Sequence, residues 1–437
     1  MRLFYLLLLL FCTQLGVAQN FNALVNTTPR VVPEVDLTTL KENQLYIAMP
    51  FAKKLVLNPE QKKQLKERVV IQLQLVYTQY KTVRSFDQKK LNNNRLKALN
   101  KLVPNLFENR FWAFELISQT NGHSRKECHQ MFHGFLVTFR PNASKEMLAS
   151  EANYLTKLVA TMLKKDSLEK DSTPKKYNIK THYDQQVGYV HDTTWFLDTI
   201  PPPSPPDFFY LQSLYKDTSV LGAFNRNKHW KDFIVVTDVT GSMSPYSAQV
   251  FVWLQQQAEN KTAKYFVFFN DGDEKPSIKK KPLATKGIYI TKNKDLETVS
   301  NTAAKCMKGG SGGGEGLEND IEAIIDGLKQ YPSAKEIILI ADNMEAMRDY
   351  QYIEKIKTPV RVIACGAKYR INVQYLDLAR QTKGSVHLKN LDVMHLATIK
   401  EDEHFFINGF EYLFKKGRFH SVYTCVWGHT EQELKAY

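Results

Sequence analysis

One segment narrows the folds open to this chain more than any other. Phe233-Ile234-Val235-Val236-Thr237 is a continuous apolar, β-branched run that ends at Asp238 and turns at once through Val239-Thr240-Gly241-Ser242-Met243-Ser244. A run without polar alternation suits a strand covered on both faces, the condition of strands in parallel, helix-flanked sheets. Acid and hydroxyl groups directly after such a strand fall in the crevice beyond the sheet's carboxyl edge, where open α/β sheets bind ligands. Asp238, Thr240 and Ser242 alternate along the turn and can face one point. One carboxylate among hydroxyls is a hard-oxygen set. It suits Mg²⁺, with octahedral coordination at about 2.0–2.1 Å, or else Mn²⁺ or Ca²⁺.

The residues that follow alternate between helix and strand patterns. Pro245 is placed to open a helix whose apolar face is Tyr246, Val250, Trp253, Leu254 and Ala258. Tyr265 to Phe269 reads as a strand closed by Asn270-Asp271-Gly272-Asp273, and Ile288-Tyr289-Ile290 as a short edge strand. Leu317, Ile321, Ile324, Ile325 and Leu328 form a helical stripe before Ile337-Ile338-Leu339-Ile340-Ala341-Asp342, a second apolar strand ending in an acid. A helix around Tyr352 to Ile356, a strand from Val360 to Ala364, a helix capped by Asn372 and stopped at Gly384, and a strand at Val386-His387-Leu388 complete the series. Parallel neighbours need crossover connections, so this alternation predicts a doubly wound, mostly parallel α/β sheet.

Asp238-Val239-Thr240-Gly241-Ser242, the Gly309-Gly310-Ser311-Gly312-Gly313-Gly314-Glu315-Gly316 loop and Asp342 together resemble the von Willebrand factor type A domain over residues 228–395. Its metal-ion-dependent adhesion site takes Asp-x-Ser-x-Ser after the first strand, a Thr from a second loop and an Asp after the fourth strand. The resemblance implies metal ligands Asp238, Thr240, Ser242, Ser311 and Asp342. Thr240 replaces the first Ser and keeps the hydroxyl. Ser311 stands where the family has Thr. Glu315 is the alternative second-loop ligand, because Gly313-Gly314-Glu315-Gly316-Leu317-Glu318 looks like the Gly-Gly-Asp-x-Pro-Glu loop of another group in the family. The two choices differ in charge: two carboxylates balance a divalent ion, and a third makes the site net negative. Each added charge at about 4 Å changes the attraction for an acidic partner by roughly 4 kcal/mol at an effective dielectric of about 20.

Two other readings compete for the Asp238 turn. Asp and Thr after a strand also serve as helix caps. A phosphoryl-transfer enzyme would use the aspartate as nucleophile, but position 240 is Thr where phosphatases similar to the haloacid dehalogenases carry a second Asp as general acid. The glycine run lacks the Gly-Lys-Ser/Thr that would make it a phosphate loop. With no catalytic set in view, the chain is not read as an enzyme.

Met1-Arg2, the apolar Leu3 to Phe11 and Gly16-Val17-Ala18 have the layout of a secretory signal peptide, residues 1–18. The stretch is shorter than the roughly 20 residues a membrane helix needs, so the chain is expected to be exported, periplasmic, cell-surface or secreted, and not transmembrane. Phe11 disfavours lipid attachment at Cys12. Residues 19–180 are expected to form an α-rich or α+β basic domain. Asn58-Pro59 starts a helix continuing through Leu65, Val69, Leu73 and Val76; Phe135 to Phe139 is a strand; Asn142-Ala143-Ser144 caps a helix through Leu148, Ala152, Leu155 and Val159. Residues 181–227, with the Pro201 to Pro206 cluster, read as a linker. Residues 396–437 read as an extension in which Phe405, Phe406, Phe410, Tyr412 and Leu413 suggest a helix and Ser421 to Trp427 a strand.

From residue 19 to 225 there are 28 basic against 19 acidic residues, so this region holds most of the chain's net charge of +14. In an exported protein that favours an anionic envelope polymer over nucleic acid, for which no motif is present. His123, Cys128, His129 and His133 have zinc-ligand chemistry, but Gly134 and a strand follow at once, so ordinary surface or core histidines are expected. Cys306 and Cys365 are expected to be buried thiols. The leading expectation is an exported binding or adhesion protein whose divalent metal engages an acidic group of a protein partner. A scaffold component of the envelope without metal-dependent binding is the alternative, and a metal-dependent hydrolase the third.

Overall fold

The computed structural model describes residues 21–49, 54–80, 85–108, 112–140, 144–170, 176–184, 188–196, 217–256, 262–273, 275, 279–292, 294–310, 317–367 and 370–422. The signal-peptide, polyproline and Ser421 to Trp427 readings lie wholly or mostly outside these residues.

The first region is a mixed sheet with helices. Its strands are β1 (Arg30–Val32), β2 (Gln44–Ala48), β3 (Val70–Thr78), β4 (Ala113–Gln119) and β5 (Gly134–Phe139), in the order β1-β4-β3-β5-β2. β1, β4 and β3 run parallel, and β5 is antiparallel to both β3 and β2. The helices are α1 (Asn22–Val25), α2 (Pro59–Glu67), α3 (Gln88–Leu102), α4 (Asn105–Glu108) and α5 (Arg125–Gln130). Asn58 caps α2 reciprocally with Gln61, with Pro59 in the first turn, as its sequence predicts. The expected continuation through Leu73 and Val76 is corrected. The helix stops at Glu67, and Val70 to Thr78 becomes β3, because Leu73 and Leu75 alternate with Gln72 and Gln74 at the two-residue period of a strand held between two partners.

The second region is a seven-stranded sheet. It is made of β8 (Phe233–Asp238), β9 (Ala263–Phe269), β10 (Ile288–Thr291), β12 (Glu336–Asp342), β14 (Val360–Cys365), β15 (Ser385–His387) and β16 (Asp392–Val393), in the order β10-β9-β8-β12-β14-β15-β16. The central five strands are parallel and both edge strands antiparallel. Alternate residues of β8 enter different cores: Phe233 and Val235 pack on one face, Ile234 and Val236 on the other. The continuous apolar run is thus satisfied by cover on both sides, and the whole architecture is mixed α/β.

The first face carries α6 (Lys145–Lys170), α7 (Ser219–Arg226), α8 (Ser244–Gln256) and α9 (Leu296–Gly309). Ala152, Leu155, Leu158, Val159 and Met162 of α6 belong to this core, so the helix expected in the basic domain packs beside α8 and α9. The second face carries α10 (Asp320–Gln330) and α11 (Val373–Gln381), the latter capped by Asn372. The segment around Tyr352 forms a 3₁₀ helix, Tyr350–Lys355. The stretch read as a linker carries most of a hairpin, β6 (Lys176–Asp184) with β7 (Gly188–Phe196), and then α7.

The expected C-terminal helix is corrected to a three-stranded meander of β17 (Glu403–Ile407), β18 (Phe410–Lys415) and β19 (Arg418–Ser421). Its turns explain the choice. Asn408-Gly409 and Lys416-Gly417 all adopt positive φ, the backbone of two-residue hairpin loops, and this overrides the helical spacing of the aromatics. Tyr412, Phe414 and Phe419 then join the second core.

Candidate metal site

Chain order reverses at the centre of the second sheet: β8 is followed by β9 on one side and neighbours β12 on the other. In open α/β sheets the point where strand order reverses is where ligands bind, and here that point is the carboxyl ends of β8 and β12. Asp238 ends β8 and Asp342 ends β12 in parallel register, so both acids stand at this edge, 0% and 6% exposed respectively.

The turn after β8 is built on Asp238. Its Oδ1 accepts hydrogen bonds from the Thr240 N–H and hydroxyl, both at 2.7 Å, while its Oδ2 has no hydrogen-bond partner. Asp238 and Thr240 are therefore brought together as expected. Ser242 lies on the 3₁₀ turn Gly241–Met243, its side chain outside what is described, and Ser311 and Glu315 fall among residues 311–316, also outside the described residues.

Two carboxylates join the site that the sequence did not single out as ligands. β11 (Leu317–Glu318) pairs in parallel with β13 (Ala346–Met347), which carries Glu318 to the segment after β12. Glu345, three residues beyond Asp342, lies on that segment. Asp238, Glu318 and Glu345 each offer a carboxylate oxygen within 4.8 Å of the other two, and all three are buried. Glu318 Oε2 and Glu345 Oε2, like Asp238 Oδ2, lack hydrogen-bond partners. The available signals were faint: Glu318 closes the glycine loop, and Glu345 is close to Asp342 in sequence. A two-residue ladder has no periodicity by which to find it.

The loop after β12 is held rigidly. Tyr375 donates to the Asp342 carbonyl at 2.9 Å, Asn343 bonds the backbone of Arg370 and Asn372, and the Asn372 side chain donates to the Glu345 carbonyl. Met344 N–H donates to Asp342 Oδ1. From the other region, Arg140, immediately after β5, reaches in: Nη1 lies 2.7 Å from Asp342 Oδ2, and Nη2 pairs with Glu345 Oε1. Arg348 sits near Glu318 and donates to the Leu317 carbonyl.

Electrostatics at this edge are those of crowded, dehydrated acids. Burial, partly opposed by the two Thr240 hydrogen bonds and reinforced by Asp342, pushes Asp238 up to about 7. Burial and the charges of Asp238, Asp271 and Asp320 push Glu318 well above the carboxylate range, with Arg348 opposing. Asp320, fully buried with both oxygens lacking partners, is raised well above its ordinary value by burial and by Asp349 and Asp238. Carboxylates in this condition take up either protons or a cation. The donor set is all hard oxygen, so Mg²⁺, Mn²⁺ or Ca²⁺ fits its chemistry better than a soft metal. Asp238, Glu318 and Glu345 are the residues that would hold the ion.

The histidine cluster does not assemble a comparable site. His133 lies beyond the end of α5 and is engaged through both ring nitrogens, by Thr78 Oγ1 and the Met131 carbonyl, each at 3.1 Å. Cys128, Cys306 and Cys365 are free and buried. Among the described residues no helix is long and apolar enough to cross a membrane. Comparison with protein-family models, with curated proteins and with solved structures found no match.

Proposed function

We propose that residues 228–395 form a von Willebrand factor type A-like unit of an exported binding protein, in which a divalent cation engages an acidic group of a protein partner. The observation that carries this reading is the set of buried carboxylates on Asp238, Glu318 and Glu345, each with an oxygen lacking any hydrogen-bond partner. Such oxygens are costly unless a cation or proton satisfies them.

Charge favours the cation. Asp238, Asp342, Glu318, Glu345 and Asp320 carry five negative charges when all are ionised; Arg140 and Arg348 offset two, a divalent ion two more, and Asp320, raised well above its ordinary value, is left to a proton. A balanced set does not repel a partner's carboxylate, which would complete the shell of the ion. When bound, the cation supplies an electrophilic position; the protein's own groups hold the acids in place and exclude water from them. The basic excess of residues 19–225 offers an anionic envelope polymer a separate, salt-sensitive attraction.

A second reading, an envelope scaffold, is favoured by Arg140. This side chain already joins the two regions through Asp342 and Glu345, as a fixed intramolecular tie would. Calorimetric titration with Mg²⁺ and Mn²⁺ separates the readings. The unaltered chain is expected to bind one ion, and Asp238→Ala to bind at least tenfold more weakly. Partner capture from an envelope extract is expected to be lost in EDTA and restored by Mg²⁺. Capture that ignores EDTA and Asp238→Ala alike supports the scaffold instead.

A further inference from the structure

A second site lies in the first region, between the end of β3, the start of α3 and α5. Arg95 of α3 is 4% exposed, and its Nε has no hydrogen-bond partner. Its guanidinium makes one long approach, 3.5 Å from Nη1 to the Val76 carbonyl, and no ion pair to a carboxylate is found for it among the described residues. A buried guanidinium in that state is unfavourable, because it has lost water without gaining an anion. Burial alone lowers it to about 10, so it stays charged at neutral pH.

Arg95 lines a cavity of about 40 Å³, room for roughly three water-sized spheres. Tyr80 and Phe86 stand on its lining, with Arg125 and His129 exposed at the rim. His133 adds no charge. Its Nδ1 donates to the Met131 carbonyl, its Nε2 accepts from Thr78, and burial together with the Arg95 charge lowers it to about 4.

We propose that this pocket binds a small aromatic acid by its carboxylate, which fills the cavity with Arg95 as its partner, while the ring stays at the mouth against Phe86 and the partly exposed Tyr80. Among the described lining residues Arg95 is the buried cation, and Arg125 is exposed at the rim where water screens it, so a monoanion matches the pocket better than a phosphate dianion. A guanidinium fork is matched in shape by a planar carboxylate, which accepts two parallel N–H bonds. The aromatic side chains supply the apolar contact that a bare inorganic ion cannot use.

The test is calorimetric titration of the full chain with benzoate, benzamide and inorganic phosphate. Benzoate is expected to bind at least tenfold more tightly than benzamide, its neutral analogue of the same shape, and than phosphate. Arg95→Met is expected to abolish that preference, and Phe86→Ala to weaken benzoate several-fold. If Arg95→Met fails to fold, the benzoate and benzamide comparison on the unaltered chain decides the matter. Equal binding of the two, or binding of phosphate as tight as that of benzoate, overturns the proposal.

Discussion

Arg140 and Glu151 are two residues whose roles depend on burial. Arg140 is the counter-charge to Asp342 and Glu345, which are 6% and 3% exposed. Removing one partner of a buried ion pair leaves the other charge stranded. Arg140→Ala is therefore expected to cost about 3 kcal/mol in chelator, measured by urea denaturation. Added Mg²⁺ should recover more stability in this variant than in the parent, because a cation then replaces the lost guanidinium charge. Glu151 of α6 is fully buried, and only the Ser244 hydroxyl opposes its desolvation, which pushes it up from 4.5 to about 8. An acid raised in the folded state contributes fully below its unfolded value and loses that contribution as pH rises towards the folded value. Stability should thus fall between about pH 4.5 and 8, by up to about 1.4 kcal/mol per pH unit from this group. Glu151→Gln should flatten that slope and raise the melting temperature at pH 8.

Among the elements, the helix-to-strand joint before β15 leaves little room. Gly384 lies between α11 and β15, and a Cβ there would meet the Val360 carbonyl oxygen at 1.8 Å and its carbon at 2.7 Å. Neither atom can move without shifting β14, a central strand of the sheet. Gly384→Ala is expected to destabilise the protein by on the order of 3 kcal/mol, read from the denaturation midpoint. The glycine was visible in the sequence as a helix stop, but not as a close contact with a distant strand. Similarly, the Phe405, Phe406, Phe410, Tyr412 and Leu413 spacing suits a helix, whereas the Asn408-Gly409 turn suits a hairpin. The turn prevailed because positive φ at two successive residues ends a right-handed helix, and a strand pair then places Tyr412 and Phe414 in the core.

For the whole molecule, α6 decides where the second region begins. Ala152, Leu155 and Val159 share one core with Phe233, Phe251 and Val299, far along the chain. A fragment starting at Asp217 lacks that cover, whereas one starting at Ser144 keeps it. The shorter fragment is expected to bind a hydrophobic dye and to melt at a lower temperature than the longer one, measured by dye fluorescence and calorimetry. Its exposed face would be the side of α8 and α9 that α6 covers. Arg140 precedes both fragments, so both should also show the greater response to Mg²⁺ expected of Arg140→Ala.

By itself the sequence determined the elements whose information is local. The β8 and β12 runs, the acids at their ends, the Asn58 and Asn372 caps and the α8, α10 and α11 stripes follow from short-range pattern and backbone preference, except that Leu317, expected to open the α10 stripe, lies in β11 instead. Tertiary structure alone decided which acids meet. Glu318 reaches Asp238 and Glu345 through a two-residue ladder, and Arg140 arrives from a different sheet. Such contacts depend on how packed elements lie across one another, a long-range property that no periodicity within a segment encodes.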